Sequence, residues 1–363
     1  MSAAPINSEA LRLARESRGR VQADVSRHTG ISQSLLSKLE SGVLPTLDAD
    51  RLGALADFLE YPPSFFVEPR RIREVGSPCL YHRMRKTLPV KVLRQLDARM
   101  FVRHINITHL LNGLDIEGDR MFHTLDPDEF GSAVEVARRL RSSWRITEGP
   151  IRNLTALIES AGGIVLMEDF GTRKLFGMSC WTTQGHPLFF LNSAIPTEDL
   201  RWTMAHELGH LTMHGTPSEG DQEEQADAFA GELLAPQSVF GPEVRRLTFQ
   251  KLPQLKAYWR ISMKAIIKRA EVIGAIDRGA AVRLYKQHSA RVYTRAEPYP
   301  LPDEPPTITR EAIRIHLQEH GYTPPELAEA VRLTPAEFER DFLGVHGRSH
   351  DSNVISLFGP STA

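Results

Sequence analysis

The N-terminal part of the chain carries apolar residues at helical spacing, interrupted by short polar turns. Leu11 and Ala14 lie on one face of a predicted helix over residues 7–17, which Asn7 or Ser8 caps. Gly30 follows the next helical stretch and predicts a tight turn, because glycine readily adopts the left-handed backbone that ends a helix. Three further helices are predicted over residues 22–29, 33–41 and 48–59.

Two short helices joined by a glycine turn form a helix-turn-helix unit, and the second helix of such a unit enters the DNA major groove. A wider resemblance is carried by Gln22-Ala-Asp-Val25, Thr29-Gly-Ile-Ser32, Leu36-Ser-Lys-Leu-Glu-Ser-Gly42 and Pro63-Ser-Phe-Phe66. Through these segments, about residues 7–66 resemble the λ-repressor-like (XRE/Cro) DNA-binding family.

The resemblance implies double-stranded operator DNA as a partner. It implies that Gln22 contacts a phosphate and that base edges face Gln33, Ser34, Ser37 and Lys38. The chemistry suits these roles, since Gln can bond adenine bidentately and Lys can reach guanine acceptors. Proteins of this kind usually read two half-sites, so a homodimer is expected. The alternative is a four-helix unit that contacts only other proteins.

A basic stretch follows, in which residues 70–103 contain ten Arg or Lys against only Glu74 and Asp97. Its first part reads as a linker, and its second part leads into a long predicted helix over residues 90–114. The positive charge suggests additional phosphate affinity beside the DNA reader. A solvated helix that joins domains or dimerises is the alternative.

The middle of the chain combines helices with three short apolar runs. Helices are predicted over residues 134–144 and 151–160, and strands over residues 164–168, 175–181 and 187–192, with turn residues between the strands. These elements predict a small antiparallel or mixed sheet, whose edge strand can hold an extended substrate by backbone pairing. The fold class expected for the whole chain is mainly α with a small β-sheet (α+β).

The clearest chemical motif is the run His206-Glu207-Leu208-Gly209-His210, an H-E-x-x-H sequence. Met204, Leu208 and Leu211 repeat at helical spacing around it, so the segment is predicted to be helical. Residues four apart lie on one face of a helix, which lets both histidines point at one zinc ion. Glu207 then faces the water that zinc activates.

A catalytic zinc site takes three protein ligands, so a third must come from elsewhere. Downstream carboxylates offer Glu219, Asp221, Glu223, Glu224 and Asp227, of which Glu223 and Asp227 stack one turn apart on a predicted helix from Asp221 to Leu234. One carboxylate of such a pair can bind metal while the other accepts a ring N–H from a ligating histidine. His214 is a rival, but it lies about 12 Å along the helix from His206. It is therefore predicted to be a helix-end cation.

A second family resemblance rests on Arg201-Trp-Thr-Met-Ala-His-Glu-Leu-Gly-His-Leu-Thr-Met-His214 followed by Glu223, Ala226-Asp227 and Phe229-Ala230. Over about residues 130–290 the chain resembles the ImmA/IrrE family of metallopeptidases. This resemblance implies a zincin-like H-E-x-x-H domain with zinc as its cofactor. It assigns zinc to His206, His210 and Glu223, the general base to Glu207, and a supporting hydrogen bond to Asp227. Gln225 departs from the family, which often has Glu there, and Glu224 is the second choice of ligand.

Composition and the C-terminal part complete the picture. The chain has 363 residues, 41% of them hydrophobic, a net charge of -1 and two cysteines, which is ordinary for a cytoplasmic protein without a membrane span. Three short helices after residue 307 form either a degenerate second helix-turn-helix or a dimerisation element. The predicted domains are a helix-turn-helix domain (1–69), a basic linker and connecting helix (70–129), a metallopeptidase domain (130–290), a proline-rich linker (291–306), a helical element (307–345) and a disordered tail (346–363).

These features predict a cytoplasmic transcription regulator fused to a zinc endopeptidase. Because relatives of this peptidase type cut λ-repressor-like proteins, the resemblance implies a helix-turn-helix repressor as substrate. The alternative is a DNA-binding regulator that cuts nothing and whose peptidase-like domain senses zinc or a small ligand.

Overall fold

The structure is a computed structural model that describes residues 3–67, 88–114, 118, 120, 122, 124–214, 221–291 and 296–344. Helices dominate it, and two small sheets accompany them, so the α+β prediction is confirmed. Among the described residues, no helix is both long enough and apolar enough to span a bilayer. The predicted disordered tail and most of the basic linker lie outside the described residues.

The N-terminal bundle forms as its capping residues predict. Asn7 accepts hydrogen bonds from two backbone N–H groups of the first helix, and Ser32 caps the third helix through the N–H of Leu35. Gly30 adopts φ 69°, the left-handed conformation that ends the second helix. The elements are β1 (Ala3–Pro5), α1 (Ser8–Ser17), α2 (Gln22–Thr29), α3 (Gln33–Glu40), β2 (Thr46–Asp48), α4 (Ala49–Leu59) and α5 (Pro63–Phe66), with β1 and β2 antiparallel.

The long helix α6 (Val90–Leu110) belongs to two hydrophobic cores. Phe101 and Ile105 pack into the N-terminal bundle, whereas Met100 and Ile107 pack against the central sheet. It ends four residues earlier than predicted, in a turn at residues 111–113. Arg103 is not a free basic group, because its guanidinium pairs with Glu168 at 2.7 Å and also with Asp341.

The central sheet is mixed, with strand order β3-β5-β4. β3 runs parallel to β5, β4 runs antiparallel to β5, and β4 is therefore an edge strand. Phe189 on one face packs with the helices around the H-E-x-x-H segment, and Phe190 on the other face packs with α6. The elements are α7 (Pro127–Phe130), α8 (Ala133–Ser143), α9 (Leu154–Glu159), β3 (Ile164–Glu168), β4 (Gly177–Trp181) and β5 (Pro187–Asn192).

Six helices complete the domain that follows the sheet. They are α10 (Thr197–Met213), α11 (Gln222–Leu234), α12 (Gln237–Val244), α13 (Leu252–Trp259), α14 (Met263–Val272) and α15 (Arg278–Ala290), with a short 3-10 turn at Phe249–Lys251. The prediction of two helices over residues 255–287 is wrong in number. Arg260 takes φ 57° and ends α13, and Ser262 caps α14, so the chain breaks where the sequence shows neither glycine nor proline.

The proline-rich segment before the last helices is extended, as predicted. It is not a free linker, however, because two of its side chains contact the preceding domain. Glu304 is buried, and it pairs with Arg201 and accepts hydrogen bonds from the N–H groups of Leu154 and Thr155 at the start of α9. Glu297 lies 3.3 Å from the buried amine of Lys256. The segment that was predicted to be a linker is thus fastened to the preceding domain by buried carboxylates.

The C-terminal helices cover the second face of the sheet. Ile313, Leu327 and Phe338 share a hydrophobic core with Leu188 and Phe190 of β5. This packing accounts for the buried faces of these helices within one chain, and neither a degenerate helix-turn-helix nor a dimerisation element is needed to explain them. The helices are α16 (Ile308–Gln318), α17 (Pro324–Ala330) and α18 (Pro335–Phe338), and a π-helical turn (Glu339–Leu343) follows.

Candidate functional sites

The helices α10 and α11 approach each other closely because of a glycine. A Cβ added to Gly209 would lie 3.0 Å from Cδ1 of Phe229, which is tighter than normal side-chain packing. Gly209 lies between the two histidines of the H-E-x-x-H run, and Phe229 lies two residues after Asp227. The close approach therefore sets how near the carboxylates of α11 come to the histidines of α10.

His206, His210 and Glu223 converge on one point. Their donor atoms all lie within 4.8 Å of one another, and this is the one such group of three among the described residues. The carboxylate of Glu223 is 3.6 Å from Nε2 of His206 and 3.5 Å from Nε2 of His210. The two Nε2 atoms are themselves 3.1 Å apart. The structure thus brings together the three residues predicted to bind zinc.

The opposite ring nitrogen of His206 is held by Asp227. Nδ1 of His206 lies 3.0 Å from Oδ1 of Asp227, the contact that the sequence predicted for this carboxylate. Burial opposes the charged form of His206, but the hydrogen bond to Asp227 and the charge of Glu207 together raise its pKa. Since a carboxylate can only accept, it fixes the proton on Nδ1 and leaves Nε2 directed at the group of three.

His214 lies outside the group of three and contacts the Nδ1 side of His210. Its Nδ1 is 3.1 Å from Nδ1 of His210, and its Nε2 is 2.7 Å from Oε1 of Gln225. Burial, followed by the charge of His210, lowers the pKa of His214. His214 does lie at the end of α10, as predicted, but its lowered pKa favours the neutral ring over the predicted cation.

Glu207 is buried, and one of its carboxylate oxygens contacts the edge strand β4. Its Oε2 accepts a hydrogen bond of 2.7 Å from Oγ of Ser179 in the middle of β4, and Ser179 is fully buried. This contact could not be predicted, since a lone serine in an apolar strand carries no motif. The predicted general base is thus attached to the strand that could hold a substrate.

The remaining carboxylates that the sequence offered do not enter the group. Glu224 on α11 and Asp221 just before this helix are exposed, and Glu219 lies outside the described residues. Two imidazoles and one carboxylate are a donor set typical of catalytic zinc, with three protein ligands and room for a fourth. The two Nε2 atoms lie 3.1 Å apart, and both lie within 3.6 Å of the carboxylate of Glu223. The residues present therefore fit zinc.

The helix-turn-helix surface leaves the predicted base-contacting residues exposed. Gln33, Ser34, Ser37 and Lys38 are all on the solvent side of α3, whose inner side buries Leu36 and Leu39. An exposed row of polar side chains on the second helix of this unit is the arrangement that major-groove binding requires.

Gln22, the predicted phosphate contact, is the first residue of α2. Its side-chain Nε2 donates to Glu40 at 2.9 Å, and the same carboxylate binds Arg15 through two hydrogen bonds. The network ties together the first three helices. In this structure Gln22 is half-buried, and its amide braces the recognition helix.

Comparison with known protein families gives two matches. Residues 8–64 match a family described as helix-turn-helix domain, and residues 159–271 match the peptidase family described as IrrE N-terminal-like domain. No curated protein matched the chain. Both resemblances inferred from the sequence are confirmed. The first match supports DNA binding, and the second identifies the domain that holds His206 and His210 as peptidase-like.

Proposed function

Starting from this fusion of a helix-turn-helix domain with an IrrE N-terminal-like domain, we propose that the chain is a cytoplasmic transcription regulator that is also a zinc-dependent endopeptidase. Its proposed substrate is a helix-turn-helix repressor, of the class that its own first domain resembles. The observation that carries the proposal is the convergence of His206, His210 and Glu223, with Glu207 beside them.

The proposed chemistry is hydrolysis of a peptide bond. Zinc, when held by His206, His210 and Glu223, would polarise the scissile carbonyl and acidify water. Glu207 acts as general base, takes the proton of the attacking water, and later gives it to the leaving amine. Its hydrogen bond from Ser179 orients the carboxylate so that the other oxygen remains available for this transfer.

Strand β4 supports an extended peptide as substrate. It is the edge of the three-stranded sheet, it lies against α10, and it carries the partner of Glu207. An extended segment that paired with this edge would pass directly beside the proposed general base. A folded substrate would have to unfold locally to expose such an extended segment. The proposed substrate is therefore a repressor in which a segment opens locally.

The DNA-binding half of the proposal rests on α3. Its exposed Gln33, Ser34, Ser37 and Lys38 would read the bases of a double-stranded operator, and a homodimer would read two half-sites. Gln22 would contact a phosphate, and its hydrogen bond to Glu40 would also support α3.

A comparison of three proteins tests the proteolytic function. Zinc-loaded wild type, Glu207→Gln and Glu224→Gln are incubated with λ-repressor-like proteins encoded by neighbouring genes, and cleavage is followed by mass spectrometry. We expect wild type and the exposed-site control Glu224→Gln to cut at the same bond and Glu207→Gln to lose at least 100-fold in rate.

The same proteins are tested for operator binding. If all three bind DNA and zinc alike and none cuts a repressor, the endopeptidase proposal is wrong. The chain would then be a regulator whose peptidase-like domain senses zinc or a small ligand.

A further inference from the structure

The two candidate zinc-binding histidines have different hydrogen-bond partners on Nδ1, the ring nitrogen that faces away from the group of three. His206 has a carboxylate, Asp227, on its Nδ1. His210 has another imidazole, that of His214, at 3.1 Å from its Nδ1. A carboxylate can only accept a hydrogen bond, so it defines the tautomer of His206 by itself. An imidazole nitrogen can donate or accept, so His214 alone leaves the tautomer of His210 undefined.

Gln225 resolves this ambiguity. Its Oε1 is 2.7 Å from Nε2 of His214, and an amide oxygen can only accept. Nε2 of His214 must then carry the proton, which leaves Nδ1 of the neutral ring as an acceptor. Nδ1 of His210 therefore donates to it, and Nε2 of His210 keeps the lone pair that faces His206 and Glu223.

The reversed arrangement is incompatible with a metal at this site. If the amide nitrogen of Gln225 faced His214, each hydrogen bond in the row would reverse. Nε2 of His210 would then carry a proton, 3.1 Å from Nε2 of His206 and directed into the group of three. A protonated ring nitrogen cannot be a metal ligand, so only one orientation of the amide leaves both histidines able to bind.

We propose that His214 and Gln225 are positioning residues that form a hydrogen-bonded relay and hold His210 in the tautomer that binds zinc. This inference rests on the zinc-binding part of the proposed function and is independent of whether a peptide bond is cut. The relay joins the end of α10 to α11, since His214 caps α10 and Gln225 lies two residues after Glu223. It does so without adding a charge beside the carboxylates of Glu207, Glu223 and Asp227.

Three variants test the relay. Gln225→Met keeps the length of the side chain but removes the acceptor, whereas Gln225→Glu retains an acceptor. Gln237→Met makes the first change at an exposed position of α12 and serves as the control. Zinc affinity is measured by competition with a chelator, and thermal unfolding of the zinc-free proteins checks that each variant folds.

We expect Gln225→Met to weaken zinc binding about 10- to 100-fold, as loss of a residue that supports a metal ligand usually does. Gln225→Glu, which keeps an accepting oxygen and adds a negative charge, should bind zinc at least as tightly as wild type, and Gln237→Met should match wild type. Equal affinity of Gln225→Met and wild type would overturn the relay while leaving the zinc site intact. Failure of the wild type to bind zinc more tightly than His206→Ala would overturn the zinc site and the relay together.

A direct observation on the unmutated protein keeps the proposal falsifiable if a variant does not fold. Nitrogen-15 spectra of the histidine rings distinguish a proton on Nδ1 from one on Nε2. We expect the zinc-free wild type to show His210 protonated on Nδ1 and His214 on Nε2. The opposite pattern in these two rings would overturn the proposal.

Discussion

Gly209 and Phe229 fix the distance between the helix that carries the histidines and the helix that carries Glu223. A methyl group on Gly209 would lie 3.0 Å from the ring of Phe229, which is fully buried and has little room to yield. The separation of α10 and α11 is thus set by a missing side chain.

Gly209→Ala is expected to destabilise the protein. Overpacking of a tight core costs about 1–3 kcal/mol. Alanine in place of glycine stabilises a helix by about 1 kcal/mol. The free energy of unfolding should therefore fall by up to about 2 kcal/mol. Zinc affinity should fall as well, because Glu223 would move away from His206 and His210. Urea unfolding and chelator competition measure the two effects.

Gly53→Ala is the matched control for that substitution. Gly53 lies in α4, and a Cβ there would have no atom within 4 Å. The same chemical change should therefore raise the free energy of unfolding by about 0.5–1 kcal/mol and leave zinc affinity unchanged. If both glycine variants shift stability in the same direction, the packing argument for Gly209 does not hold.

Asp341 gives a pH-dependent prediction. Burial favours its neutral form, but the hydrogen bond from Arg340 and the charge of Arg103 lower its pKa below the ordinary value of 3.8. A lowered folded-state pKa means that its contribution to stability is present above about pH 4 and is lost as the pH falls through the folded pKa.

Asp341→Asn should accordingly reduce the free energy of unfolding by about 1–3 kcal/mol at pH 7. The difference from wild type should shrink below about pH 4, where the wild-type carboxylate becomes protonated too. Glu339→Gln, at an exposed position of the same turn, should show no such difference. A wild-type advantage that stays constant down to pH 2.5 would contradict the assignment.

Glu304 is expected to be essential for the position of the extended segment. Replacing it by Gln leaves the fully buried Arg201 without its carboxylate, and breaking a buried ion pair costs on the order of 3 kcal/mol. The residues near 304 should become sensitive to protease at the same time. Asp303→Asn, whose amide oxygen can still accept the 2.8 Å hydrogen bond from Oγ1 of Thr197, should leave melting temperature and protease resistance near wild type. Equal behaviour of the two variants would show that the segment is not held by Glu304.

Lys38 and Gln33 should determine operator affinity. Alanine at either position is expected to weaken specific DNA binding by about 1–3 kcal/mol, which is roughly 5- to 150-fold, because a base contact is lost. Lys286→Ala removes the same charge from an exposed position of α15 and should have little effect. Fluorescence anisotropy with operator and scrambled DNA measures the difference, and equal losses on both DNAs would show that these residues do not read bases.

Local signals explain why much of the fold could be predicted. Caps such as Asn7 and Ser32 lie next to the helices that they start, and β3 and β5 have the predicted bounds because their apolar runs end at turns. β4 begins at Gly177, two residues late, for a reason remote in sequence. Asn192 donates from its amide to the carbonyls of Thr172 and Leu175 and holds that stretch in a loop.

In the candidate site, too, contacts within one segment could be predicted, whereas contacts between separate elements could not. The convergence of His206 and His210 follows from helical spacing, which is a property of one segment. The contact between Ser179 and Glu207, and the row from His210 through His214 to Gln225, depend on how separate elements pack. No motif marks Ser179, and the family pattern marks Gln225 only as a departure from the usual Glu, so the contacts of both residues could not be predicted from the sequence.

The C-terminal helices have a consequence for how the chain is made. Asn106 of α6 donates to the carbonyl of Val331, so the sheet and α6 complete their packing only with residues that lie 225 positions later. At about 5–20 residues per second, a ribosome needs about ten to fifty seconds to add that stretch. During this interval the N-terminal bundle can fold, whereas the face of the sheet around Phe190 is covered by α6 alone and lacks α16 to α18. The nascent chain should therefore need a chaperone until α16 to α18 emerge, and truncation before residue 308 should yield aggregates even though both matched domains are intact.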